Sequence, residues 1–107
     1  MEDFYCDEVL SGRTRVEKVF ETENVLAYHH TRPFWETHIV VIPKTHVDNL
    51  LTAENELLIE LLDVVRKVAA DVLNDKGAAR VLTNLGQYQD SKHLHFHVNS
   101  GEPITKR

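Results

Sequence analysis

Between residues 57 and 73 apolar side chains recur at helical spacing. Leu57, Leu58, Leu61, Leu62, Val65, Val68, Ala69, Val72 and Leu73 fall on one side, and Glu60, Asp63, Arg66, Lys67 and Asp71 mostly on the other. This pattern predicts one long helix. Thr52 is placed to cap its start, Glu54 and Glu56 sit where the helix dipole favours anions, and Gly77 after Lys76 can close it in a left-handed conformation. Elsewhere the rhythm is that of strands. Val16, Val19 and Phe20, then Val25, Leu26, Ala27 and Tyr28, flank the polar residues 21–24, which predicts a hairpin. Residues 38–43 read His-Ile-Val-Val-Ile-Pro, too apolar for a strand washed by solvent and ended by proline, hence a central strand. A further strand is expected over 80–85, with Val81 and Thr83 on one face and Leu82 and Asn84 on the other.

The polar stretch 86–92 reads as a loop leading into a last strand over 93–98, after which Gly101 and Pro103 break the pattern and Lys106-Arg107 form a loose end. Near the N-terminus residues 4–10 suit a short amphipathic turn or helix stopped by Ser11-Gly12. The order is hairpin, strand, long helix, strand, strand. It predicts an α+β domain: an antiparallel five-stranded sheet, one long helix covering one face, and a short N-terminal helix.

Length and charge narrow the class without changing this picture. The 107 residues suit one domain over 1–107, with 99–107 as a variable tail and no repeat or low-complexity tract. A net charge of −5 argues against general affinity for duplex DNA or anionic membranes, which needs clustered Lys and Arg, while small anions remain open as ligands. The single cysteine, Cys6, cannot form an intramolecular disulfide, and no apolar run suits a signal or a bilayer span; a cytoplasmic protein is expected.

The candidate chemistry lies in the last strand. Alternate side chains of a strand share a face, so His93, His95 and His97 line one surface while Leu94, Phe96 and Val98 enter the core. Three imidazoles on one face are costly to bury unless they bind or react. Neutral imidazole is a nucleophile at pH 7, and neighbouring imidazoles can donate to phosphoryl oxygens or protonate a departing group. A metal site competes, because His-x-His on a strand presents two ligands and His38 on a neighbouring strand can add a third. Against it, no Cys-x-x-Cys or His-Glu-x-x-His spacing is present, and no metal or cofactor is expected.

The run His93-Leu94-His95-Phe96-His97-Val98-Asn99 resembles the histidine triad (HIT) superfamily signature, in which histidines alternate with apolar residues; only the last apolar place is lost. Thr37-His38-Ile39-Val40-Val41-Ile42-Pro43-Lys44-Thr45-His46 resembles a second family segment, and Asn84-Leu85-Gly86 stands where the family has Asn-x-Gly. The resemblance spans residues 4–98. It implies a nucleotide-binding hydrolase or transferase acting at the α-phosphate of nucleoside phosphoramidates or dinucleoside polyphosphates through a covalent nucleotidyl-histidine. His95 matches the nucleophile, His97 the histidine that helps the leaving group, His93 one that orients its neighbours, and His38 a buried histidine behind the nucleophile. Asn84 and the segment Gln89, Asp90 and Ser91 match the phosphate site. Phe4, Tyr5, Val9, Tyr28 and Val40 fall near positions that enclose the base, each with core packing as its plainer role. The resemblance further implies a small-molecule nucleotide as partner and a homodimer formed through the long helix and a sheet edge.

Three places depart from the family pattern. His29-His30-Thr31-Arg32-Pro33 puts His30 where the family has an aspartate holding ribose hydroxyls, a role imidazole cannot fill with two acceptors; both histidines also suit a plain exposed loop. Asp90 stands in a hydroxyl position and would repel a phosphate, unless Ser91 takes that place. Many members begin with Cys-x-x-Cys and hold structural zinc there with histidines, whereas this chain has Asp3-Phe4-Tyr5-Cys6, so Cys6 is expected to be a small buried hydrophobe. From another class, a nucleotide-binding or interaction protein with little turnover shares these features.

Overall fold

The structure, a computed structural model, describes residues 4–104. The hairpin forms as expected, β1 (Lys18–Glu21) returning as β2 (Val25–His29), and β3 (Trp35–Pro43) lies beside β2. The long helix α1 (Asn55–Lys76) is followed by β4 (Arg80–Thr83) and β5 (Phe96–Pro103). All pairings are antiparallel, in the order β1-β2-β3-β5-β4. The apolar run of β3 sits at the centre because both its faces are covered. Ile39 and Val41 join Val25, Ala27, Phe96 and Val98 beneath α1. Val40 and Ile42 point the other way, joining Leu26, Tyr28, Tyr5 and Val9 beneath a π-helical turn over Tyr5–Leu10. The N-terminal segment therefore caps the sheet face opposite the helix.

The helix differs from its expected limits at one end. Asn49 engages Thr52 in a turn, Thr52 N–H and Oγ1 both bonding to the Asn49 carbonyl at 3.2 Å, so Thr52 is not the cap and Glu54 occupies that position. Gly77 closes the other end with φ 84° and its N–H on the Leu73 carbonyl at 2.8 Å. The stripe facing the sheet is Leu61, Val64, Val65, Val68 and Val72. Val64, not counted from the sequence, is buried, whereas Leu62 and Leu73 are 41% and 54% exposed and join Ile59 on a neighbouring stripe. Glu60 is not a merely solvated residue. Its carboxylate accepts from Thr22 Oγ1 at 2.6 Å and from the Asn24 backbone N–H at 2.9 Å, tying α1 to the hairpin turn.

The last two strands also shift. β4 stops at Thr83, and β5 begins at Phe96 and runs through Gly101 to Pro103, so residues 99–103 belong to the sheet. The strand survives Gly101 because the register with β3 slips between Trp35 and Thr37, and Gly101 absorbs the extra residue at φ 86°. A Cβ there would run into the Glu36 side chain. Gly101→Ala is expected to destabilise the fold by about 1–2 kcal/mol, chiefly through the left-handed backbone, read as a lower urea midpoint at unchanged slope. Lys106 and Arg107 lie outside the described residues.

Candidate active site

His93 and His95 precede the paired part of β5, yet the alternation expected from the sequence holds through them. Leu94, Phe96 and Val98 enter the core under α1, while His95 and His97 lie beneath the N-terminal turn, with ring centroids 4.9 Å apart. Tyr5 packs on His93 at 5.4 Å and on His95 at 5.0 Å. In the register Val40 pairs with His97 and His38 with Asn99, which brings His38 to the same face. The polar Asn99, where the family pattern has an apolar residue, is buried but satisfied: Arg80 Nη1 donates to its Oδ1 at 3.0 Å, and the guanidinium lies over the Trp35 ring at 4.3 Å.

The hydrogen bonds fix which ring nitrogen carries each proton, because most partners can only donate or only accept. His95 Nδ1 faces the His93 carbonyl at 2.7 Å and must donate, leaving the lone pair on Nε2. The Phe34 backbone N–H donates to His38 Nδ1 at 3.0 Å, so the His38 proton sits on Nε2 and is donated to His97 Nδ1 at 2.9 Å. The proton of neutral His97 is then on Nε2. His93 donates Nε2–H to the Pro43 carbonyl at 2.9 Å. One bare nitrogen on His95 thus adjoins one N–H on His97.

A cavity of about 400 Å³ opens over these groups, lined by Phe4, Tyr5, Tyr28, His30, Asp90, Ser91, His95 and His97 among the residues singled out from the sequence. Thr31, Arg32 and Phe34 line it too and were not foreseen; the Arg-Pro turn directly after His30 was the available signal. The remaining candidates are not among its lining residues. Val9 and Val40 are core, His93 and His38 are buried, and Asn84 follows Thr83, whose hydroxyl donates to the His95 carbonyl at 2.7 Å. Gln89 is buried, its amide donating to the Asp48 carbonyl at 2.6 Å. His38 backs His97 rather than His95, and His93 orients His95 through its carbonyl rather than its ring. Ser91 Oγ is buried with no hydrogen-bond partner among the described residues, a group that a ligand oxygen would satisfy.

Burial, reinforced by the other histidines, depresses this cluster's pKa values. His97 is lowered to about 3, first by burial and then by His95, His38 and His30. His38 is lowered to about 4 by burial, then by His30 and His95. His95 is lowered by burial, with its bond to the His93 carbonyl opposing the shift. These groups are neutral when folded and take up protons when unfolded below their ordinary value of 6.5. Their contribution is therefore fully present above pH 6.5 and lost as pH falls from there towards about 4 and then 3. The urea midpoint is expected to drop between pH 7.5 and pH 5, roughly one and a half units below the ordinary histidine value, and to drop less in His97→Asn than in the parent.

Behind the triad the structure gathers a second set of groups that the sequence reading left without metal ligands. Donor atoms of Cys6, His46 and His93 all lie within 4.8 Å of one another. Cys6 Sγ is 3.6 Å from His93 Nδ1, the nitrogen left bare by the bond to Pro43, and His46 Nε2 is 2.7 Å from Asp48 Oδ1. Cys6 is half-buried beside two imidazoles rather than a simple apolar filler. A thiol and two imidazoles, each imidazole held by an outer partner, fit a structural zinc ion as three ligands. Asp3 lies outside the described residues.

A family model of the HIT domain matches residues 12–104. An uncharacterized 13.2 kDa HIT-like protein of Azospirillum brasilense is 38% identical over 103 residues, covering 90% of this chain and 84% of the relative. Among solved structures, a member of the HIT family from Bacillus subtilis superposes with TM-score 0.85 at 28% identity, over 94% of this chain and 74% of the other. The HIT family hydrolase of Legionella pneumophila gives TM-score 0.79 at 28% identity, over 97% and 96%. The family model spans most of the chain and the fold agrees with these likenesses along nearly its whole length: this protein belongs to the HIT family.

Proposed function

We propose that this chain is a nucleotidyl hydrolase or transferase acting at the α-phosphate of nucleoside phosphoramidates or dinucleoside polyphosphates, with His95 as nucleophile. The observation that carries this reading is the pair of ring nitrogens with opposite roles: His95 Nε2 bare because Nδ1 donates to the His93 carbonyl, and His97 Nε2 protonated because Nδ1 accepts from His38. His95 Nε2 attacks phosphorus as the bond to the leaving group breaks, giving a phosphohistidine-type intermediate; neutral His97 holds its Nε2–H as a hydrogen-bond donor to the departing atom, which takes its proton from solvent. Water then adds its hydroxyl to phosphorus and gives its proton to solvent as the bond to His95 breaks, releasing His95. Ser91 Oγ supports the reading as a donor waiting for a phosphoryl oxygen. A zinc ion held by Cys6, His46 and His93 would supply a cross-link between the N-terminal turn and the triad, without touching substrate.

Asp90 favours a second reading, a HIT-fold nucleotide-binding protein with little turnover, because its charge faces His95 where a phosphate would sit. A labelled nucleotide substrate quenched in alkali separates the two: label retained on His95 supports catalysis, and tight binding without label supports the second. A homodimer belongs to the proposal. The stripe of Ile59, Leu62 and Leu73 on α1 and the apolar Val81 and Leu82 on edge strand β4 are exposed, and a second copy would cover them. Sedimentation at micromolar concentration reads the mass. A cytoplasmic setting is supported by the single cysteine and by the lack, among the described residues, of a helix long and apolar enough to cross a membrane.

A further inference from the structure

His30 lines the cavity, and its polarity is fixed by the loop that carries it. The Arg32 backbone N–H donates to His30 Nδ1 at 2.9 Å, so the ring accepts there and the proton of neutral His30 lies on Nε2. The ring is held in place by stacking on His38, with centroids 4.4 Å apart. Burial, then His95, lowers its pKa, which keeps it a neutral donor. Its Nε2 has no protein partner among the described residues, and His30 lines the cavity together with Thr31 and Arg32. The only carboxylate lining this cavity among the described residues, Asp90, acts on His95. His30 therefore offers an N–H, and the two lining residues that follow it, Thr31 and Arg32, carry a hydroxyl and a guanidinium and no carboxylate.

A free cis-diol needs acceptors for its two protons, and a neutral imidazole whose other nitrogen is already engaged offers none. An anionic oxygen group needs donors and positive charge, which are what stands here. We infer that His30, Thr31 and Arg32 form an anion subsite, so that the fitting substrate is a nucleotide carrying a second phosphate on its sugar rather than a free diol. This rests on the proposed nucleotide chemistry at His95 and deepens it. The His30 ring is 6.2 Å from that of His97, a separation that one sugar bridges when its 5′-phosphate lies on the triad.

The test is calorimetric titration of the wild-type protein with adenosine 5′-monophosphate, adenosine 2′,5′-bisphosphate and adenosine 3′,5′-bisphosphate, and with the monophosphate plus inorganic phosphate. At least one bisphosphate is expected to bind about tenfold or more tightly than the monophosphate, the size of one charge-assisted contact. In His30→Asp the order reverses, and in Arg32→Ala, a loop variant that leaves the ring stack in place, the gap narrows. Equal binding of mono- and bisphosphates by wild type would overturn the subsite while leaving the nucleotide reading intact. Tightening by free phosphate without any gain from the bisphosphates would overturn its attachment to the sugar. If no nucleotide binds, both readings fall together.

Discussion

His95→Ala is expected to lower turnover of an adenosine phosphoramidate by about 10⁴-fold or more, the scale seen when a covalent nucleophile is removed from a site whose other groups remain. The loss should appear in kcat, with nucleotide binding weakened far less, because His97, Ser91 and the walls of the cavity persist. His97→Ala should cost about 10²- to 10³-fold, as befits a hydrogen-bond donor to the departing atom, and least for substrates whose leaving group departs without a proton. The two variants differ in a second readout. His97→Ala retains the capacity to accumulate labelled nucleotidyl-histidine, and His95→Ala cannot form it. Equal turnover by His95→Ala and the parent, with circular dichroism showing both folded, would sink the proposed mechanism.

Leu61→Ala should produce a large loss of stability. Leu61 is fully buried between α1 and the sheet, where it joins Val64, Val65 and Val68 against Ala27, Ile39 and Val41. Truncation removes buried apolar surface and leaves a cavity that β-branched neighbours cannot easily fill, at a cost of about 3 kcal/mol. For a domain of this size that is a large part of the total, and the thermal midpoint should fall by about 10 °C or more. Leu62→Ala, one residue along on the exposed stripe, is the control: a small effect in the monomer and a larger one only where a second copy covers it. Equal destabilisation by both would contradict the orientation of the helix.

The elements were legible because each is written in local periodicity. The helix stripe, the hairpin and the unbroken apolar run of β3 are patterns that backbone geometry converts into structure with little help from distant residues. Limits were less legible where a neighbour competes. Thr52 reads as a cap until Asn49 captures it, and Gly101 reads as a break until a register slip gives its backbone a use. Leu62 and Leu73 carry the same apolar signature as Leu61, and only the placement of the sheet decides which are covered.

The candidate site divides in the same way. The alternation of His93, His95 and His97 with Leu94, Phe96 and Val98 was set by sequence alone, since a period of two puts the imidazoles on one face wherever the strand is laid. Which nitrogen of each ring reacts was decided by the tertiary structure. A histidine is ambiguous until a partner of one polarity faces it, and those partners are the His93 and Pro43 carbonyls and the Phe34 and Arg32 amides. The gathering of Cys6 and His46 behind His93 is likewise tertiary, joining residues 87 positions apart. Chain order specifies which side chains share a face; the donors and acceptors brought opposite them by packing give each imidazole its chemical role.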